Sequence, residues 1–260
     1  MAVSWLKQGE DSAKLHEQEK AAQIKRQSEQ GKSFRFWLKK GDEASIWFVD
    51  GALHTKGYLA PPRYYEHTVF FNNTWDNIVC PQQTMPSAKE VCPICEGKDR
   101  AALVSLFTVI DTRPYTTKNG ITIPFTRKLF VAKPTTFDML NKMAIKRGGL
   151  TGCRFDVSRT GDKSPNVGDV FDFQEKSTDV EALTQMFTST FKVKDKQSGS
   201  DIQKTVNLWE PLPYEKEIIF RTGDELRKMG FGAPTGGSGF SQDTSPAADA
   251  GKGEDYETHL

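Results

Sequence analysis

One histidine and three cysteines of the chain stand at metal-ligand spacing: His67, Cys80, Cys92 and Cys95, or His-x12-Cys-x11-Cys-x2-Cys. A Cys-x2-Cys pair puts two thiolates on one turn, where they share a tetrahedral ion at ~2.3 Å each. A further Cys and a His complete a structural zinc site of three thiolates and one imidazole. The intervening stretch 82–90 is polar and aperiodic, with few packing contacts to expect, so bound metal supplies its missing folding energy. Reading the cysteines as unliganded thiols or as a redox pair leaves Cys80 without a role, and His54, after the Gly51-Ala52 turn, competes with His67 for the fourth position. Cys153 lies in a stretch that reads as a strand and is expected to be a small core residue. Four protein ligands would fill the zinc shell, whereas a catalytic zinc keeps an open position and a nearby base. Neither His-Glu-x-x-His, nor the deaminase His-x-Glu with Pro-Cys-x-x-Cys, nor Gly-x-Ser-x-Gly, nor a phosphate-binding Gly-Lys-Ser/Thr loop occurs. The expectation is one structural Zn2+ per chain and no enzyme.

Charge is the second signal. The 260 residues carry 35 Lys+Arg against 34 Asp+Glu, a net charge of +1 that looks unsuited to a polyanion partner. By segment the balance is +4 over 1–40, −4 over 41–97, +8 over 98–163, −4 over 164–220 and −3 over 221–260, so the total is a cancellation. Phe107, Tyr115, Phe125, Phe130, Phe137 and Phe155 are interleaved in the basic block. Lys and Arg neutralise phosphates and flat rings stack on unpaired bases, which is what single-stranded nucleic acid requires. The same block also reads as a solvated basic face over a core that buries its phenylalanines.

The elements that must hold these residues follow from period and punctuation. Residues 10–30 lack Gly and Pro and read as an exposed helix or arm, ended by Gly31. Residues 33–38 alternate as a half-buried strand with Phe34, Phe36 and Leu38 inward, and a second strand spans 45–49; Trp37 and Trp47 then point outward, as a stacking surface or under a packed subdomain. Runs 104–112 and 121–131 read as strands joined by a loop with the Asn119-Gly120 turn, and the second sets Lys128 and Phe130 on its polar face. Residues 134–147 read as a helix from Pro134 to the Gly148-Gly149 stop, followed by strands 153–158 and 170–174, a helix over 179–188, an extended 191–193, a polar loop over 194–204 and a short helix over 222–229. The tail 232–260, rich in Gly, Ser, Ala, Asp and Glu, buries too little apolar surface to order itself. It reads as an acidic solubility segment, a competitor for the basic groove or a tag for partner proteins.

No stretch suits a membrane: the longest mainly apolar run, 101–110, is about half of the ~20 residues needed and holds Ser105 and Thr108. The start lacks the apolar region of a secretory signal, and four Cys do not make a disulfide scaffold, so the chain reads as intracellular. The pattern predicts a β-rich α+β fold: an arm over 1–31, a core over 32–231 with a zinc subdomain at about 54–100, and the tail.

His-x12-Cys, a loop, then Cys-Pro-x-Cys, set between early strands and a basic aromatic strand–helix unit, resembles the zinc-containing single-stranded DNA-binding, or helix-destabilising, proteins of T-even-like phages. The resemblance covers about residues 25–175. It implies an OB-fold barrel with an inserted zinc subdomain, His67, Cys80, Cys92 and Cys95 as zinc ligands, and sequence-tolerant ssDNA binding in phage replication, recombination and repair, in the cytoplasm of the infected host. It also implies self-association along ssDNA through a basic arm, whose nearest match is Lys25-Arg26-Gln27-Ser28, and contacts of the acidic tail with replication or recombination proteins. Phosphate contacts are then expected from Arg35, Arg63, Lys98, Arg100, Arg113, Lys118, Lys128, Lys133 and Arg147, and stacking from Trp37, Trp47, Tyr64, Tyr65, Trp75, Tyr115 and Phe130. The alternative is a zinc-stabilised protein-interaction or virion component whose basic block meets an acidic partner.

Overall fold

The computed structural model describes residue 14 and residues 35–71, 74–86, 89–116, 122–194 and 201–232. Apart from residue 14, the expected arm lies outside the described residues, as do Lys118 with its Asn119-Gly120 turn and the tail from residue 233 onward.

The described elements run in the order β1 (Glu43–Phe48), β2 (Arg63–Phe71), β3 (Thr74–Val79), α1 (Pro81–Thr84), α2 (Pro93–Glu96), β4 (Ala102–Asp111), β5 (Tyr115–Thr116), β6 (Thr122–Ile123) and β7 (Thr126–Ala132). They continue with α3 (Pro134–Arg147), β8 (Cys153–Ser158), β9 (Val170–Lys176), α4 (Val180–Met186), β10 (Thr188–Lys194), β11 (Asp201–Asn207), α5 (Tyr214–Glu217) and α6 (Gly223–Lys228). Seven strands form one antiparallel sheet in the order β3-β2-β4-β1-β8-β9, with β7 also on β4. β4 organises it. Its run ALVSLFTVID is paired to β2 near the start and to β1 near the end, with β7 along the opposite edge, so its residues from Val104 onward are buried.

The OB-fold expectation is not met, because the sheet is open. β3 and β9 end it, β7 is laddered to β4 and touched beyond that by the single bridge Arg35–Leu129, and among the described residues no ladder joins β7 to β9 to close a cylinder. Cover takes the place of closure: Phe36, Leu38 and α3 lie over the face formed by Phe48, Phe107, Phe130, Phe155 and Phe171. Short strands with one helix between them suit a covered open sheet as well as a barrel, and the pattern of runs does not distinguish the two. The result is a mixed α+β domain.

The opposite face is covered too. Trp47 and Ile110 pack with Leu183, Phe187 and Trp209, and Leu106, Leu129, Val104, Tyr64 and Val79 pack under Leu212, Tyr214 and Ile218. Double cover explains two corrections. Trp47 is buried rather than outward, in edge contact with Phe187 and Trp209 at 6.0 and 6.5 Å, and Phe130 belongs to the main core, stacked on Phe36 at 5.7 Å. Alternation marks a solvent face only where one face of the sheet meets water.

α3 begins at Pro134, carries Lys146 and Arg147 in its last turn and ends at Gly148, whose φ of 67° is the left-handed conformation that glycine adopts without strain. The Lys176 amine caps this end, donating to the carbonyls of Arg147, Gly148 and Gly149 at 2.7–3.3 Å. Leu140 and Ala144 bury the inner stripe. The helix thereby presents the side bearing Phe137 and Asn141 to residues 59–63.

Candidate metal centre

Four elements converge on one point. His67 sits mid-strand in β2, with Tyr65, Val69 and Phe71 at alternate positions of the same face. Cys80 follows β3 directly, its amide donating to the Tyr65 carbonyl at 2.7 Å, which fixes it beside β2. Cys80 and Cys92 have the same local form: each precedes a proline, has extended backbone and stands at the N-cap of a one-turn helix. Neither sulfur caps its helix, which leaves both for a metal. The Gln82 side chain accepts from the Cys92 amide at 3.3 Å and ties the two turns together.

The ligand atoms of His67, Cys80, Cys92 and Cys95 all lie within 4.8 Å of one another. His67 Nε2 is 3.5 Å from Cys92 Sγ and 3.4 Å from Cys95 Sγ, and the Cys80 and Cys95 sulfurs are 3.6 Å apart. A tetrahedral zinc with ~2.3 Å bonds to sulfur and ~2.05 Å to nitrogen has edges of about 3.8 Å for S···S and about 3.6 Å for N···S. These three separations lie within about 0.2 Å of those edges and the remaining ones stay within 4.8 Å, so the donor set fits a structural Zn2+. Three of the ligands are buried and Cys95 is half-buried, and four protein ligands leave no position for water. Without a cation the cluster is unfavourable: burial, then the neighbouring Cys80 and Cys92 groups, push the Cys95 thiol well above its ordinary range. Zinc reverses the sign by stabilising the thiolates, so metal binding releases protons.

A fifth residue belongs to the site and carries no sequence signal. The turn after α2 passes through Lys98, whose φ is +66°, and returns Asp99 so that its carboxylate lies 3.1 Å from His67 Nδ1. A carboxylate there fixes the ring orientation and the Nδ1–H tautomer, which directs Nε2 to the metal. His54 is not a ligand; it is exposed in a turn, its Nδ1 accepting from the Lys56 amide at 3.3 Å. Cys153 is a core residue, as its sequence context indicates.

Set against known protein families, curated proteins and solved structures, the chain matches none of them.

The residues expected to meet nucleic acid fall into three groups. Arg63, Lys98, Arg100 and Lys133 are exposed, and Trp37, Tyr65, Trp75, Tyr115 and Arg147 are half-buried. Arg147 lies over the Phe173 ring at 4.0 Å. A second group is held in ion pairs. Arg35 binds Glu66 at 2.6 Å and the Tyr64 hydroxyl at 3.1 Å; burial opposes its charge, but Glu66 and Tyr64 together outweigh burial and raise its pKa. Arg113 and Lys128 both bind the fully buried Asp111, at 2.7 and 2.8 Å. Burial there works against the Asp111 carboxylate, yet the two cations hold its pKa below the ordinary range. Tyr64, Trp47 and Phe130 form the third group, the buried one.

Residues that the sequence reading passed over assemble beside the exposed group. An antiparallel bridge from Leu53 to Leu59 closes a turn in which Tyr58, 43% exposed, stacks on His54 at 5.1 Å with Lys56 between them in sequence. Asn141 of α3 accepts from the Leu59 amide at 2.9 Å, and one helical turn earlier Phe137 carries the Arg63 guanidinium 3.8 Å above its ring. Lys133 and Lys142 are exposed on the same helix segment, with Asp138 as the acidic residue among them. Of this patch the sequence pointed to Arg63, Lys133 and Phe137, and carried no signal for Lys56, Tyr58, Asn141 or Lys142.

Proposed function

We propose that this chain is a zinc-stabilised, sequence-tolerant ssDNA-binding protein acting as the phage helix-destabilising proteins it resembles do, in replication, recombination and repair. The observation that carries the reading is the aromatic and basic patch on α3. An exposed Tyr58 on His54 and the Arg63–Phe137 pair set flat faces beside Lys56, Lys133 and Lys142. Rings of this kind stack on unpaired bases and the cations neutralise phosphates without reading sequence. The zinc centre supports the reading because its ligand set is the one that the resemblance implies, and because it orders the β2–β3 hairpin whose first residue is Arg63. On this reading the acidic tail recruits replication or recombination proteins and the arm mediates self-association on ssDNA.

The test is anisotropy of a labelled oligo-dT titrated with the protein. With four phosphates neutralised by Lys56, Arg63, Lys133 and Lys142, affinity is expected to fall roughly 50-fold from 50 to 200 mM salt. Tyr58→Ala is expected to weaken binding roughly tenfold. Binding that ignores salt, or no binding, refutes the proposal and leaves the protein-interaction reading; salt-dependent binding indifferent to Tyr58→Ala moves the site away from this patch.

A further inference from the structure

The last described segment of the chain is bolted to the metal module. Leu226 and Phe231 are fully buried in one cluster with Cys80, Cys92 and Ile94, and Met229 packs against it. Phe231 meets Phe71 of β2 with ring centroids 4.3 Å apart. Polar contacts fix the register: the Gly223 amide donates to Glu90 at 3.1 Å and Arg227 pairs with Glu96 at 3.2 Å, Glu90 and Glu96 flanking the Cys92–Cys95 turn on either side. The approach is too close for side chains at two points. A Cβ on Gly223 would stand 2.1 Å from the Val91 carbonyl oxygen, and one on Gly232 would stand 2.7 Å from Pro93. A capping box between Thr222 and Glu225 starts the helix at that contact.

From this geometry we infer that residues 222–232 are a metal-gated strap: zinc holds the surface on which the strap docks, and losing zinc releases the strap together with the root of the acidic tail. The coupling is structural. The strap packs on Cys92, Ile94 and Pro93, and α2, a single turn of helix, is too short to persist without the metal that binds its two cysteines. The part of the sheet built from β1, β4, β7, β8 and β9 has its own cores, away from the β2–β3 hairpin at the metal site, and does not need the metal. Linkage makes the effect reciprocal, so weakening the strap must weaken zinc. The inference stands on the zinc site alone and does not depend on DNA binding.

Hydrogen exchange of the full chain, zinc-loaded and after chelation, tests it directly. Chelation is expected to deprotect 91–97 and 222–232 together while 104–110 and 153–158 stay protected. If 222–232 stays protected without zinc, or if all four segments open at once, the strap is not metal-gated. In parallel, Gly223→Ala and Leu226→Ala change no ligand yet are expected to weaken zinc affinity roughly tenfold in equilibrium competition with a colorimetric chelator, within the usual range of coupling between sites. Wild-type affinity in both variants overturns the inference.

Discussion

The Asp99 carboxylate sits 3.1 Å from His67 Nδ1, on the side of the ring away from the three sulfurs. The imidazole is therefore oriented before any metal arrives. Replacing Asp99 by Ala leaves all four ligands in place but frees the ring, and zinc affinity is expected to fall about 10–100-fold, the usual effect of losing such a partner. Competition with a chelator of known affinity measures it; an unchanged affinity would mean that packing alone fixes His67.

Cys92 supplies a ligand and contributes a buried sulfur to the apolar cluster around the centre. Cys92→Ala is expected to lower the thermal midpoint in zinc-replete buffer. In excess chelator most of that difference should vanish, because the wild type has then lost the same metal. A difference of equal size in both buffers would assign the effect to packing.

Asp50 ties the segment after β11 to the sheet. Its carboxylate accepts from the Tyr214 hydroxyl and from the Thr108 amide, and burial, against those hydrogen bonds, pushes its pKa up to about 6. A carboxyl with a raised folded pKa binds its proton more tightly in the native state. Stability is therefore greatest below the unfolded value near 3.9 and declines as pH rises to about 6, by at most about 3 kcal/mol. Urea midpoints of Asp50→Asn relative to wild type should move in favour of the variant between pH 4 and 6.5 and level off above. A difference independent of pH would show that Asp50 titrates as an ordinary carboxyl.

Asp111 is expected to behave in the opposite sense. It is fully buried and holds Arg113 and Lys128, so Asp111→Ala leaves two cations without that partner and is expected to cost about 3 kcal/mol at pH 7. Its lowered pKa means that this contribution is present above about pH 4 and is lost as the pH falls further. Denaturant titrations of the variant and the wild type measure the cost; a loss below 1 kcal/mol would show that the cations are solvated in the folded state.

What the sequence made legible followed from local rules. The 134–147 helix and the 153–158 strand lie at their expected bounds, because Pro134 and Gly148 punctuate the first and strict alternation marks the second. The β2–β3 hairpin had no such signal. RYYEHTVFF mixes aromatic and polar residues on both faces, one turned to the zinc centre and the other carrying Tyr64 and Glu66 toward Arg35, so its period is masked. β10–β11 was equally hidden, its second strand lying largely in what reads as a polar loop. The zinc ligands were readable because cysteine spacing is a short-range property. Asp99 was not, since its role comes from one left-handed residue, Lys98. Facing along β7 was illegible for a different reason: cover on both faces makes Phe130 core and turns Lys128 to a buried carboxylate.

The most direct test of the account is the metal content of protein purified without added zinc and dialysed against metal-free buffer. The geometry of His67, Cys80, Cys92 and Cys95 predicts about one zinc per chain by elemental analysis, with retention falling in Cys80→Ser. Protein that holds well under half an equivalent and still unfolds at the same temperature in excess chelator would contradict it.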